Sequence, residues 1–177
     1  MANDTIQNYT FDELEVGMSA RLTHKLTHED IKLFAAASGD PILAGLAEGV
    51  TLTAALGKRP AYAALSCTLL SRLIGTDLPG PGTSIVAESM RYQHAVSVGD
   101  SVTVSVTVKE KRAPDNLVVL DCAGTNQHGD PVLSGTMEVS VLTEKLSVPR
   151  MEPAMISVQE HDSYEAILKA CKGCRRS

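Results

Sequence analysis

Ser101-Val102-Thr103-Val104-Ser105-Val106-Thr107-Val108 alternates small polar and β-branched apolar residues without a break. Successive side chains of a strand point to opposite faces, so the octet predicts a strand with a buried row of valines and a wet row of Ser and Thr. Towards the C-terminus, Ala113-Pro114-Asp115-Asn116 and His128-Gly129-Asp130 are turn sequences that set off Leu117 to Asn126 and Val132 to Leu142. Three strands in a meander are predicted, joined by an earlier one over Ser84 to Tyr92 that follows the rigid turn Leu78-Pro79-Gly80-Pro81-Gly82. Upstream, Ala61 to Ile74 runs apolar nearly all round, with Leu65, Leu69, Leu70, Leu73 and Ile74, behind Pro60 and ahead of Gly75. Proline suits a first helical position and glycine a helix stop, and an apolar helix of this kind is a buried one. A buried helix against a curved antiparallel sheet is an α+β layer architecture.

Nearer the N-terminus, Ser19 to Leu26 reads as a short strand, and Thr27-His28-Glu29-Asp30 supplies a helix cap with an acid at the third helical position. Ile31, Phe34, Ala35 and Ser38 then fall on one face of a helix that Gly39 ends. Pro41 to Arg59 shows no period and is predicted to be a loop with at most a helical turn. Residues 1–145 are expected to form one domain and 146–160 an extended linker marked by Pro149, Arg150 and Pro153. Within 161–177, Tyr164, Ile167, Leu168 and Cys171 have helical spacing, so a short helix begins there.

The chain has 177 residues, 44% of them hydrophobic, 21% charged and only 3% aromatic, and a net charge of -5. A core of Val, Leu, Ile and Ala is therefore expected. The acidic balance excludes broad electrostatic binding to nucleic acid or to an anionic membrane. No apolar run reaches the roughly 18 residues of a membrane span, and Met1-Ala2-Asn3-Asp4 opens no export signal, so a cytoplasmic location is expected. Of the four cysteines, Cys67 and Cys122 sit in apolar segments as small buried hydrophobes. Cys171-Lys172-Gly173-Cys174 is a lone C-x-x-C without a second ligand pair, and no metal site is assigned to it.

Phe11-Asp12-Glu13-Leu14-Glu15-Val16-Gly17, Phe34-Ala35-Ala36-Ala37-Ser38-Gly39-Asp40, Leu73 to Thr83 and Val98-Gly99-Asp100-Ser101-Val102 together carry a family resemblance. Over about residues 9 to 145 the chain resembles the MaoC-like (R)-specific enoyl-CoA hydratases, and most of all the version fused in front of a phosphate acetyl- or butyryltransferase. That resemblance implies a hot-dog fold, a sheet wrapped around a central helix, and a CoA thioester as substrate or ligand with no further cofactor. A helix as short as that at 161–177 either docks on the first domain or a partner subunit or opens a further domain, and the similarity of Glu160 to Leu168 to the entry into the transferase domain of the fused proteins implies the start of a truncated one. An isolated hot-dog unit leaves sheet edges open, and open edges are usually paired, so a homodimer or an assembly of dimers is expected.

In that family the acid opens an Asp-x-Asn-Pro-x-His segment whose Asp and His activate the water added to the enoyl double bond. Here Asp40 is kept, but Ile42, Leu43 and Gly45 stand for Asn, Pro and His, and Tyr62-Ala63 stands for the His-Gly pair that opens the central helix. Hydration needs a base for water, a proton for the alpha carbon and donors for the enolate oxygen. Asp40 fits the first role or a plain turn cap after Gly39. Tyr62, ordinarily a phenol of pKa near 10, fits a proton donor or a core residue. The backbone N–H groups around Ala63 and Ala64, at the positive end of a helix, fit the oxyanion. His24, His94 and His128 are expected at the surface. The sequence thus implies an acyl-CoA-binding domain whose hydratase activity is weak or lost, or else a non-catalytic assembly or regulatory module of a phosphate acyltransferase.

Overall fold

The computed structural model describes residues 5–39 and 61–150, and of Ala61, Tyr62 and Ala63 the backbone only. The chain order is β1 (Thr5–Gln7), β2 (Ser19–Lys25), α1 (His28–Ser38), α2 (Ala61–Thr76), β3 (Ser84–Tyr92), β4 (Ser101–Arg112), β5 (Leu117–Thr125), β6 (Pro131–Ser140) and β7 (Ser147–Pro149). Two compact units divide it, one holding every described strand together with α2, the other holding α1. In α1 the acids Glu29 and Asp30 occupy the first turn, where the helix dipole favours them, and Ile31 and Ala35 are buried. Gly39 follows at φ +66, the left-handed conformation that ends a helix.

In the larger unit β4, β5 and β6 form the expected meander within a five-stranded antiparallel sheet of order β2-β4-β5-β6-β3. β3 does not lie beside β4, its successor in the chain, but closes the far edge by pairing with β6. Val102, Val104, Val106 and Val108 are at most 1% exposed, as the alternation requires. In register with them lie Leu120, Cys122 and Gly124 of β5, then Leu133, Gly135 and Met137 of β6. Register shifts between Val108 and Glu110 and between Ile85 and Ala87 are bulges, which bend a sheet locally.

α2 packs on β4, and to a lesser extent on β2 and β6. Leu65, Leu69, Leu70, Leu73 and Ile74 are all buried, which seats the helix on the valine row. Two expectations need correction. Ala64, Thr68, Ser71 and Arg72 form an exposed stripe at helical spacing, so the helix is not buried all round. Gly75 lies inside the helix, which runs on to Thr76, whose Oγ1 donates to the Arg72 carbonyl at 2.8 Å. Its φ is not positive, so it makes no left-handed stop there, and the chain leaves the helix only ahead of Pro79.

Ser147–Pro149, within the stretch expected to be a linker, pairs with Thr5–Gln7 in a separate two-stranded sheet. Asn8, 2% exposed, secures that junction: its side-chain amide donates to the Glu144 carbonyl at 3.0 Å and its Oδ1 accepts from the Leu146 N–H at 2.7 Å. Gly80 (φ +100) faces the same segment. A Cβ on it would stand 3.0 Å from Asn8 Cα, so only glycine lets the two backbones meet.

Candidate functional site

Asp40, Ile42, Leu43 and Gly45 lie outside the described residues. Tyr62, Ala63 and Ala64 lie in the first turn of α2. The N–H groups of a helix's first turn have no partner within the helix, and the dipole there favours negative charge, so this turn has the chemistry of an oxyanion donor. Ala64 is exposed and begins the open stripe of α2. Two residues on, Ser66 is fully buried and its Oγ has no hydrogen-bond partner.

A pair that the sequence did not single out lies beyond this turn. Cys67 Sγ and Tyr92 Oη are 3.0 Å apart, joining α2 to the edge strand β3. Tyr92 is 44% exposed and Cys67 half-buried. The phenol is pushed up to about 12, by burial first, then by the hydrogen bond to Cys67 and by the nearby Cys67 and Glu88. Burial likewise raises the Cys67 thiol. Both groups are therefore neutral at ordinary pH, able to exchange a hydrogen bond but not to act as a thiolate or phenolate. Cys122, in the buried sheet face, is pushed up to about 12, again chiefly by burial, in keeping with a structural cysteine.

His94 and His128 are exposed, the first bonded to the start of β6 and the second within its own turn. The Nδ1 of His94 is 2.7 Å from the Pro131 carbonyl, and the His128 N–H donates to Asn126 Oδ1. His24 is half-exposed on β2. The Gly80-Pro81-Gly82 segment forms a turn, with the Gly80 N–H given to the Ile74 carbonyl and the Thr83 N–H to the Gly80 carbonyl, so the Gly80 amide is used internally. An open polar cleft lined by Gln7, Asn8, Tyr9, Asp77, Lys145 and Arg150 lies by the other end of α2. From Tyr62 that end is roughly 20 Å along the axis at 1.5 Å per residue. Among the described residues no group of three His, Cys, Asp or Glu side chains could hold a metal ion, and no helix is long and apolar enough to cross a membrane.

No family model matches the sequence. Over 107 residues the chain is 38% identical to an (R)-specific enoyl-CoA hydratase of Rhodospirillum rubrum, an alignment spanning 60% of this chain and 74% of that protein. The chain belongs to the MaoC-like (R)-specific enoyl-CoA hydratase family. A second (R)-specific enoyl-CoA hydratase, from Aeromonas caviae, is 30% identical over 128 residues, 72% of this chain and 96% of that protein. The solved structure of an unliganded R-hydratase from Pseudomonas aeruginosa superposes with a TM-score of 0.74 at 35% identity, covering 88% of this chain and 99% of that one. The α+β fold of this hydratase-family member is thus the hot-dog fold, its antiparallel sheet curved around α2.

Proposed function

We infer that this chain binds an acyl-CoA or enoyl-CoA thioester with the thioester oxygen at the first turn of α2, and that it hydrates an enoyl thioester slowly or not at all. The observation that carries this is the residue set. A hydratase-family chain keeps Asp40 and the helix start at Tyr62, Ala63 and Ala64, yet has Gly45 where the resemblance asks for histidine. Asp40 could take the proton of the attacking water, and the N–H groups of the first turn could hold the developing enolate oxygen. The proton for the alpha carbon has no histidine at position 45 or 62 to come from, and a positioned proton donor is worth about 10²–10⁴-fold in rate. Tyr62 is the candidate to stand in as donor.

β3 supports a dimer within this reading. It is an edge strand exposed along nearly its whole length, with Ile85 41%, Val86 57% and Tyr92 44% exposed, and such an edge is usually paired. A second reading, an assembly or regulatory module of a phosphate acyltransferase, is favoured by one observation: both positions at which the resemblance asks for histidine, Gly45 and Tyr62, lack it.

Calorimetric titration of the chain with butyryl-CoA tests the first reading. Saturable binding that free CoA reproduces only weakly is the expected result. Absence of binding by any acyl-CoA would leave the module reading in its place.

A further inference from the structure

The five-stranded sheet ends on β2 at one side and on β3 at the other. On β2, Arg21, Thr23 and Lys25 are exposed, and charge along an edge blunts it against pairing. On β3 the backbone shows which groups face outward. The Gln93 N–H donates to the Val132 carbonyl at 2.9 Å, so Gln93, and by alternation Arg91 and Ser89, turn their backbone groups towards β6. Glu88, Met90 and Tyr92 therefore turn their N–H and C=O groups to the open edge. The approach at Met90, where a Cβ on Gly135 would stand 2.9 Å from Met90 Cα, agrees with this: strands come closest at pairs that exchange no hydrogen bonds.

A second copy of the chain fits such an edge, since two antiparallel copies of one strand pair about a two-fold axis. Residues opposite each other in a ladder share a face of the sheet, so the axis passes through a residue and not between two. An axis on Glu88 or on Arg91 sets like charges directly opposite, which is destabilising. On Ala87 it brings the bulges of both copies, between Ile85 and Ala87, beside the axis, where they interrupt the ladder. On Met90 it pairs only 88–92 of the strand. An axis on Ser89 pairs 86–92 and sets no like charges opposite. Met90 then meets Glu88, and Tyr92 meets Val86, a favourable aromatic and β-branched pair whose members are 44% and 57% exposed in the single chain.

We infer that two copies join β3 to β3, antiparallel, with the two-fold axis at Ser89, so that the partner subunit's Val86 covers Tyr92. This rests on the dimer reading above and adds its register. Cys67 ties Tyr92 to α2, so the helix that opens the candidate site is anchored at the subunit boundary.

Cysteine crosslinking of the full chain tests the axis. Ser89 and its copy form a pair without mutual hydrogen bonds, with Cα atoms about 4.5 Å apart, inside the range a disulfide spans. Oxidised Ser89→Cys should therefore run as a covalent dimer on a non-reducing gel, to an extent that the unaltered protein with its native cysteines does not reach. Positions 88 and 90 lie diagonal to their own copies, about 7–8 Å away, too far for a disulfide without backbone movement. Glu88→Cys and Met90→Cys should each fail to crosslink alone, and should crosslink when mixed and allowed to exchange subunits. That mixture decides the matter should Ser89→Cys not fold. Crosslinking of Glu88→Cys alone without that of Ser89→Cys, or of none of these in a protein that sediments as a dimer, overturns the axis and leaves the dimer standing. Sedimentation as monomer alone overturns the two together.

Discussion

Replacing Gly135 with alanine should loosen the edge strand β3, whereas the same replacement at Gly124, on the neighbouring strand β5, should be close to neutral. Both glycines lie within strands, and neither has a positive φ. Alanine's smaller loss of backbone freedom therefore favours folding by about 0.4–1 kcal/mol at either site. The surroundings differ. A Cβ at Gly135 would run into the Ser89 carbonyl oxygen and stand 2.8 Å from Met90 Sδ and 2.9 Å from Met90 Cα. Two of those three are backbone atoms of β3, which yield only if the strand moves. A Cβ at Gly124 would meet Leu133 Cγ at 3.0 Å and Val104 Cγ1 at 3.5 Å, side-chain atoms that can give by a few tenths of an ångström. Overpacking costs about 1–3 kcal/mol where the neighbours cannot yield. Gly135→Ala should then lose about 1–2 kcal/mol net, and Gly124→Ala should stay within about 0.5 kcal/mol of the unaltered protein. Urea denaturation gives the stabilities, and amide exchange shows where the structure loosens, with the extra exchange expected in β3 and its partner β6. A Gly135→Ala protein as stable as Gly124→Ala, or one whose faster exchange lies away from β3, would refute this reasoning.

Lysine at both Ile85 and Val86 should dissociate the expected dimer, since it places charge on an apolar edge that is open in the single chain; sedimentation of the unaltered protein as monomer alone at micromolar concentration would remove the edge-pairing idea. Alkaline titration should show one tyrosine ionising at about 12, absent in Tyr92→Phe. The neutral phenol is the form the fold prefers, so its contribution to stability is intact below pH 10 and lost as the pH rises from about 10 to 12. Equal alkaline sensitivity of the two proteins would contradict that.

The parts of the fold visible in the sequence are those with a local signal. The valine alternation at 102–108 named the buried face of β4, the turns at 113–116 and 128–130 bounded the meander, and the leucines of 65–74 named the core face of α2. The rest depends on partners distant in the chain. Three-residue strands such as β1 and β7 have no period of their own, and they pair across some 140 residues. Gly75 reads as a stop, but nothing local says that the helix keeps its geometry through it. The exposed stripe of Ala64, Thr68, Ser71 and Arg72 contains residues a helix tolerates on either face. Of the candidate site, the first turn of α2 was legible from Pro60 and the apolar run. The Cys67 and Tyr92 pair was not, because its two members are 25 residues apart and meet only once β3 has paired with β6. Its one signal in the sequence was a tyrosine in a chain that holds only four.

The most direct test is crotonyl-CoA hydration, followed as loss of the conjugated thioester. It should be run on the unaltered protein, on a variant carrying Ile42→Asn, Leu43→Pro and Gly45→His, and on that variant with Asp40→Ala added. Three changes are made together because a histidine on an unshaped loop would miss the roughly 0.5 Å placement that catalysis demands. The expected result is very slow hydration by the unaltered protein, a gain of about 10²-fold or more in the repaired variant, and loss of that gain with Asp40→Ala. Brisk hydration by the unaltered protein would contradict a site that has lost its second proton-transfer group.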